Sequence, residues 1–334
     1  MIEKRTVFVL GAGASCPYRF PTARGLRREI IQAFVADYEK LLDERARPGT
    51  DGINDGYPAI SSAKDFVDAF RDSSTESIDL FLSGNPRFEK VGKIAIVLSI
   101  LGAEGWSAFR EELETTKEVA QDWYWYLFNR LRRELTGRDG YQDFGGNRIT
   151  FITFNYDRSL EHFLFDSLLH SFEGADAQTV RAQIDRIPII HVYGKLAPLP
   201  WQEDDTSKVL GYGDHGLLSS RNVLGIIENL YVVREERVNP EQDKAREAIQ
   251  EAERVFFLGF GYAPESLEAL GLLDVLRRTP RIYGTAMRWN ARELRDIRVN
   301  FVHMLQRSGN KSPDVGERVQ IRDCDCVELL REFL

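Results

Sequence analysis

Hydrophobic residues follow two patterns along this chain, short continuous runs and a helical repeat. Apolar-rich runs occur at 7–10, 149–154, 187–194, 230–233, 255–258, 281–284 and 319–321. Continuous runs of this kind are typical of parallel strands that are buried on both faces. Between most of the runs, apolar residues recur every three or four positions, which predicts helices, among them 241–252, 265–277 and 291–305. This alternation predicts an α/β fold, a Rossmann-like doubly wound parallel sheet.

The segment 27–146 departs from this alternation. Its apolar residues keep helical spacing, as at Phe66 and Phe70, and no run in it resembles a strand. We therefore predict a helical insertion at 27–146 within a single domain that comprises 1–334. An aromatic stretch, WYWYLF at 123–128, lies inside the insertion. Aromatic residues at helical spacing more often form core than a ligand-binding surface, so we assign this stretch to the core.

Composition narrows the classes of function. The chain has 334 residues, and its 44 basic and 52 acidic side chains give a net charge of −8. This balance argues against direct nucleic-acid binding, because phosphate affinity comes from concentrated lysine and arginine. The apolar run near the amino terminus is too short for a signal peptide, and no stretch reaches the roughly 18 apolar residues of a membrane span. We expect a cytoplasmic protein without membrane contact.

The chain has three cysteines, Cys16, Cys324 and Cys326. An odd number without paired C-x-x-C spacing excludes a disulfide framework and a four-thiolate zinc site. No two histidines have metal-ligand spacing either, so we expect no metal. Cys324 and Cys326 are two residues apart, and we predict that they share one face of the last strand. This cysteine usage indicates a reducing compartment.

A glycine-rich loop follows the first predicted strand and comprises Gly11, Ala12, Gly13, Ala14 and Ser15. Glycines let the backbone turn tightly and approach a ligand, and the N–H groups that follow can hold a pyrophosphate. Cys16 stands where the G-x-G-x-x-G fingerprint has its third glycine. A tight turn from strand to helix, without a ligand, is the alternative.

Two further strand ends carry candidate functional side chains. Asn155 and Asp157 follow the second predicted strand, at the edge of the sheet where such folds bind ligands. The alternative is that both residues cap the next helix. His191 lies near the end of the third run, on the same predicted face as Tyr193, and can act as a general base. A buried core histidine is the alternative for that position.

Four motifs occur in order, each at the end of a predicted strand: VFVLGAGAS, TFNYD, IIHVYG and FFLGFGY. This arrangement resembles the sirtuin-like family, which has the silent information regulator fold, and in particular its bacterial antiphage-defence branch. The resemblance covers residues 5–26 and 148–334. The helical insertion is compatible with it, because that branch carries helices in place of a small zinc module.

The resemblance implies that the chain binds NAD and cleaves the bond between nicotinamide and ribose. The pyrophosphate would lie on the loop at 11–15. Asn155 would position water or ribose hydroxyls, Asp157 would orient its loop, and His191 would be the catalytic base. The adenosine end would lie near the carboxyl-terminal glycine loop, so that the remaining cofactor contacts would be Tyr193, Gly194, Gly259, Gly261 and Thr285.

The chain departs from the family at three places. It lacks the paired zinc cysteines of the protein deacetylases, which argues against deacylation. Residues 17–26 read PYRFPTARGL and lack the G-I-P-D-F-R that covers the nicotinamide ribose in those enzymes. Tyr193 stands where the family has its catalytic histidine, directly before Gly194, and His191 lies one step of about 7 Å back along the strand.

Two functions follow from these observations. The first is an NAD+ hydrolase that releases ADP-ribose and nicotinamide and depletes NAD as an effector of antiphage defence. Such an enzyme has to be held silent, which implies a homo-oligomer or a separately encoded partner: an ATPase, an Argonaute-type protein or a nucleotide-processing enzyme. The second is a catalytically weak or inactive module that binds NAD, ADP-ribose or a nucleotide signal and regulates a partner. Tyr193 favours the second function, and the pair of Asn155 and Asp157 favours the first.

Overall fold

Within the described residues, six strands form one parallel sheet in the computed structural model. The described residues are 1–45, 56–105, 122–214, 223–232, 239–272, 276, 280–307 and 314–334. The strands are β1 (Thr6–Leu10), β2 (Ile149–Thr153), β3 (Ile189–His191), β4 (Arg254–Leu258), β5 (Arg281–Thr285) and β6 (Val319–Arg322). Their order is β3-β2-β1-β4-β5-β6, and each neighbouring pair is parallel. This is a Rossmann-like strand order, so the predicted α/β fold with a parallel sheet is confirmed.

The central position of β1 explains why its run is apolar throughout. All five of its residues are buried, because the strand is hydrogen-bonded to β2 on one side and to β4 on the other. Phe8 stands in register with Phe151 and Phe256, and its ring centroid lies 5.3 and 5.4 Å from theirs. Burial of a phenylalanine contributes about 1.5–3 kcal/mol, so this row of rings favours one register of the three strands.

Helices connect and flank the strands. They are α1 (Ala12–Ser15), α2 (Ala23–Arg45), α3 (Ile60–Asp72), α4 (Ile78–Gly84), α5 (Glu89–Gly105), α6 (Trp123–Leu131), α7 (Ser159–His170), α8 (Ala177–Ile184), α9 (Val223–Ile227), α10 (Pro240–Glu251), α11 (Pro264–Ala269), α12 (Ala291–Arg307) and α13 (Cys326–Phe333). The described part of 27–146 forms helices and 3₁₀ turns but no strand, as its periodicity predicts. Among the described residues, no helix has the length and apolar content needed to cross a bilayer.

The aromatic stretch at 123–128 joins the helical segment to the sheet. Trp123 and Tyr124 are buried, which confirms their assignment to the core, whereas Trp125 is exposed. The Trp123 indole donates to the carbonyl oxygen of Ala14 at 2.8 Å, and the Tyr124 hydroxyl lies 2.9 Å from the Ser159 hydroxyl. Helix α6 therefore supports both the glycine loop after β1 and the start of α7.

A buried ion pair holds the loop after β3 against the helical segment. Arg158 and Glu104 are both fully buried, and their side chains are joined by two hydrogen bonds of 2.9 and 2.6 Å. Arg158 also donates to the carbonyl oxygens of Ala197 and Leu210 at 2.9 and 2.7 Å. Glu104 accepts from the amide of Gly213 at 3.3 Å. Because these contacts satisfy both buried charges, the loop has one defined path.

The strand predicted at 187–194 ends early, at His191. The Gly194 amide donates to the His191 carbonyl at 3.0 Å, and Gly194 has a φ of +76°, so the chain turns directly after the strand. A side chain is excluded at this turn, because a Cβ on Gly194 would lie 1.8 Å from the carbonyl oxygen of Asn229. Tyr193 consequently does not share a strand face with His191, contrary to the prediction.

A further predicted strand, at 230–233, and one predicted helix boundary are also wrong. Residues 230–232 form no strand, and Val233 lies outside the described residues. The helix predicted at 265–277 ends at Ala269 because Gly271 takes a left-handed conformation, with a φ of +58°, that terminates helices. Residues 273–275 and 277 of that prediction also lie outside the described residues.

The predicted strand face shared by Cys324 and Cys326 is wrong as well. Strand β6 ends at Arg322, so both cysteines follow it. The Asp325 side chain accepts from the amide of Glu328, and the Glu328 side chain accepts from the amide of Asp325. This reciprocal cap starts α13 at Cys326, because it satisfies two amides that a helix leaves without partners.

The buried ion pair yields a prediction about stability. Glu104→Gln should lower the free energy of unfolding by about 3–5 kcal/mol, because Arg158 would keep its charge in the interior without a counter-charge. Urea denaturation of both proteins measures the difference. The control is Asp68→Asn, which breaks the exposed Arg71–Asp68 pair and should cost less than about 1 kcal/mol. Equal effects of the two substitutions would contradict this account.

Candidate functional site

A cavity of about 630 Å³ lies at the carboxyl edge of the sheet, where β1, β2, β4 and β5 end. In sheets of this order, that edge is where ligands bind, at the point where the strand order reverses. Eight of the residues predicted from the sequence line the cavity: Gly11, Ala12, Gly13, Asn155, Tyr193, Gly259, Gly261 and Thr285. Five predicted residues do not line it: Ala14, Ser15, Asp157, His191 and Gly194.

The loops after β1 and β4 touch each other at their glycines. A Cβ on Gly11 would lie 2.7 Å from the carbonyl oxygen of Gly259, and a Cβ on Gly13 would lie 2.8 Å from the same atom. Gly259 has a φ of +54°, and its own Cβ would lie 2.0 Å from the amide nitrogen of Ala14. These three glycines are therefore required by the contact between the loops, whether or not a ligand is bound.

The same contact uses amides that the sequence analysis assigned to a pyrophosphate. The amide of Gly11 donates to the carbonyl oxygen of Leu258 at 3.1 Å, and that of Gly13 donates to Gly259 at 3.0 Å. The amide of Ala14 donates to the carbonyl oxygen of Gly11 at 2.9 Å. A phosphate in the cavity would have to find other donors than these three.

Asn155 is held in one orientation with its carboxamide oxygen free. Its amide nitrogen, Nδ2, donates to the carbonyl oxygen of Gly11 at 3.1 Å and to the Ser15 hydroxyl at 2.9 Å. Both hydrogens of this nitrogen are thus used, and Oδ1 has no donor among the described residues. An oriented acceptor at the cavity wall can bind a hydroxyl group or a water molecule.

Asp157 lies below the cavity and supports Asn155 indirectly. Its Oδ2 accepts from the Ser15 hydroxyl at 2.9 Å, and its Oδ1 accepts from the amide of Ser159 at 3.1 Å and from the Ser159 hydroxyl. Burial raises the pKa of Asp157, while the hydrogen bonds from Ser159 and Ser15 oppose that shift. Asp157 therefore caps the start of α7 and anchors the serine that orients Asn155.

His191 lies behind the cavity wall with both ring nitrogens engaged. Nδ1 lies 3.1 Å from the carbonyl oxygen of Asn155, and Nε2 lies 2.8 Å from Oε1 of Glu161. Burial alone would raise the pKa of Glu161, but the charges of His191 and Lys195 outweigh it and lower that pKa to about 2. Both ring nitrogens are engaged in these contacts and His191 does not line the cavity, so the ring is not placed to take a proton from a ligand there.

Tyr193 brings an unsatisfied polar group to the cavity. Its side chain is 5% exposed, and its hydroxyl has no hydrogen-bond partner among the described residues. Burial raises the pKa of this phenol, the charges of Asp79 and Glu265 raise it further, and the nearby Ser266 side chain, which lies outside hydrogen-bond geometry, opposes the shift. The group is thus a neutral donor, and a buried donor without a partner costs about 1–3 kcal/mol that a bound acceptor would recover.

Among the described residues of the lining, acidic side chains that were not predicted from the sequence outnumber the basic ones. One basic residue, Arg24, faces four acidic ones, Glu76, Asp79, Glu265 and Asp325. Arg24 is paired with Glu76 at 2.5 Å, which leaves an excess of carboxylates. The sequence does not single out these acidic positions, because they come from three separate segments of the chain.

Asp79 is the most enclosed of these carboxylates. It accepts a short hydrogen bond from the Tyr156 hydroxyl. Burial raises the pKa of Asp79, while hydrogen bonds from Tyr156 and Ser77 oppose the shift.

All three cysteines line the cavity, although Cys16 lies far from Cys324 and Cys326 in the sequence. Cys16 comes from the end of the first loop, and Cys324 and Cys326 come from the segment around the start of α13. Burial raises the pKa of the Cys324 and Cys326 thiols, so both are held in the neutral form, whereas Cys16 is exposed. Among the described residues, no group of three or more potential ligands is arranged to hold a metal ion.

The contact between the glycines predicts that alanine substitutions at Gly259 and Gly261 have very different effects on stability. Gly259→Ala should lower the free energy of unfolding by at least about 2 kcal/mol, because the new Cβ has a strained φ and no room. Gly261→Ala is the matched control, since a Cβ there has nothing within 4 Å, and it should change stability by less than about 0.5 kcal/mol. Thermal and urea denaturation test both. Equal destabilisation would show that the loops do not pack as described.

The buried Glu161 predicts a pH dependence of stability. Its folded pKa of about 2 lies below the ordinary value of 4.5, so the pairing contributes fully above pH 4.5 and is lost as the pH falls toward 2. The pairing contributes about 3 kcal/mol to the free energy of unfolding. Denaturation between pH 7 and pH 2 should show this loss in the wild type but not in Glu161→Gln, which starts less stable. The control Glu268→Gln, at an exposed position, should lose stability with falling pH as the wild type does. If Glu161→Gln lost the same amount of stability over this pH range as the wild type, the pH dependence would not come from Glu161.

The chain was also compared with known proteins. No protein-family model matches it, and no curated protein matches it. The candidate site is therefore defined by its own geometry, a cavity at the reversal point of the sheet with two oriented polar atoms, Asn155 Oδ1 and the Tyr193 hydroxyl.

Proposed function

We propose that this chain binds NAD+ in the cavity and hydrolyses its nicotinamide–ribose bond. In this reaction the bond between the nicotinamide nitrogen and ribose C1′ breaks, and nicotinamide leaves as a neutral molecule with the bonding electron pair. Water adds to C1′ and loses one proton, which gives ADP-ribose. The ribose carries positive charge in the transition state, so negative charge nearby stabilises it. The reaction also needs a hydrogen-bond acceptor that orients the attacking water molecule.

The observation that carries the proposal is a pair of polar atoms at one cavity that have no hydrogen-bond partner among the described residues, Asn155 Oδ1 as acceptor and the Tyr193 hydroxyl as donor. Asn155 Oδ1 is an acceptor for water or a ribose hydroxyl, and its orientation is fixed by two hydrogen bonds. The Tyr193 hydroxyl is a neutral donor for a ligand oxygen. A volume of about 630 Å³ lies within the 300–1,000 Å³ that is usual for pockets of small ligands and cofactors.

The carboxylates that line the cavity would stabilise the positive charges that occur in this reaction. NAD+ carries a cationic pyridinium ring, and the ribose becomes positive as nicotinamide leaves. Asp79 and Glu265, near Tyr193, offer carboxylate oxygens at that end of the cavity. The pyrophosphate gains nothing from these charges, and with three loop amides already engaged it depends on Arg24 and on solvent.

His191 acts in this proposal as a positioning residue. Its ring donates to the backbone carbonyl of Asn155 and is held by Glu161, so it fixes the backbone that carries the essential carboxamide. It takes no proton from water, because neither nitrogen is free. The departing proton passes to solvent or to a carboxylate of the lining.

A second candidate function is the binding of NAD or ADP-ribose without cleavage. The engaged nitrogens of His191 favour it, since the one predicted base does not reach the cavity. The role in antiphage defence and control by an oligomer or a separate partner remain predictions from the family resemblance.

Nicotinamide release from NAD+ by the purified protein tests the proposal. Asn155→Ala should reduce kcat/KM about 100-fold or more, the usual loss when one oriented polar group of an active site is removed. Tyr193→Phe should reduce it about tenfold, because one hydrogen bond to the ligand is lost. Asn129→Ala, on α6 and outside the cavity lining, is the control and should leave turnover within about twofold of the wild type.

Calorimetric titration with NAD+ separates the two candidate functions. Binding that is weakened by Asn155→Ala, without release of nicotinamide, would overturn hydrolysis and support the binding module. The absence of both binding and release in the wild type would overturn both functions. Melting temperatures of the variants exclude loss of folding as the cause.

A further inference from the structure

A second groove, at the opposite edge of the sheet, has the opposite charge. It has a volume of about 580 Å³ and lies where β1, β4 and β5 begin. Because β1 has five residues, the groove is about 16 Å from the cavity. Its lining contains five basic side chains: Lys4, Arg5, Arg254, Arg281 and Arg318.

Among the described residues, the groove contains too few carboxylates to neutralise these cations. Two acidic residues, Glu251 and Glu253, belong to its lining. Glu253 already accepts a hydrogen bond from the backbone amide of Arg5 at 2.9 Å. Glu251 is the ion-pair partner of Arg5, but at a distance of 3.7 Å, and outside the lining Asp314 lies 3.7 Å from Arg318. Among the described residues, Lys4, Arg254 and Arg281 have no carboxylate partner.

Arg254 is a partly buried cation that a bound anion would stabilise. It is half-buried, and its hydrogen bonds go to neutral oxygens, the Thr6 hydroxyl at 3.2 Å and the Phe333 carbonyl at 3.4 Å. Burial lowers the pKa of its guanidinium and the charge of Arg130 lowers it further, while Tyr283 and the carboxylate of Glu253 oppose the shift without forming an ion pair. Beside it, Nε of Arg5 is buried without a hydrogen-bond partner. Guanidinium groups in this condition are suited to bind phosphate oxygens.

We propose that this groove binds a compact oligophosphate anion, the class of ligand that includes the phosphate tails of nucleotides. The volume suits a small molecule of that size. A long polyanion is disfavoured, because it would extend beyond the groove over a chain whose net charge is −8. The stacked rings of Tyr283 and Phe333, 4.6 Å apart, form an apolar wall beside the cations.

Titration calorimetry with inorganic triphosphate tests this site. The variant Lys4→Ser/Arg281→Ser removes two exposed cations whose side chains make no hydrogen bond to the described residues, and it should weaken the Kd at least about tenfold. The matched control, Lys64→Ser/Arg292→Ser, removes the same net charge outside the groove and should stay within about twofold. Melting temperatures establish that all proteins are folded.

Three results would overturn the proposal. They are no binding of triphosphate by the wild type, equal weakening in both double variants, and tighter binding of a single-stranded DNA oligonucleotide than of triphosphate through the same two residues. The last result would indicate an extended nucleic-acid surface. The test does not depend on NAD+, so its outcome is independent of the proposed hydrolysis.

Discussion

The contact between the loops after β1 and β4 is the constraint on which the rest of the site depends. Gly11 and Gly13 approach the backbone of Gly259 so closely that no side chain fits at any of the three positions. The contact is possible because β1 and β4 are neighbours in one register, fixed by the ring of Phe8 between two other phenylalanines. The cavity is the space left above these loops, and its floor is backbone.

Much of the fold could be predicted because strands that are buried on both faces of a sheet consist of continuous apolar residues, which are easily recognised in the sequence. All six strands coincide with apolar runs, and the described part of 27–146 is helical as its periodicity indicates. The failures occur where a local backbone conformation overrides hydrophobicity. Gly194 turns the chain after His191, and Gly271 ends α11, although the apolar pattern continues in both places.

The site was harder to predict than the fold, and one case shows why. Period-2 spacing put His191 and Tyr193 on one strand face, but the strand ends at His191, so the two side chains go to different places. His191 binds Glu161 behind the wall, while Tyr193 reaches the cavity. Asn155 could be assigned to the site because it follows a strand directly. Asp79 has no such position, because tertiary packing alone brings it there.

The helical segment contributes to the chemistry of the site as well as to the core. Asn155 is oriented by Ser15, Ser15 is held by Asp157, and Asp157 shares Ser159 with the Tyr124 hydroxyl of α6. In a chain of buried hydrogen bonds, loss of one member leaves its neighbours unsatisfied, so the network acts as a unit. A displacement of α6 would therefore change the position of the Asn155 carboxamide oxygen at the cavity wall. This connects the insertion to the orientation of the one side chain on which the proposed reaction depends.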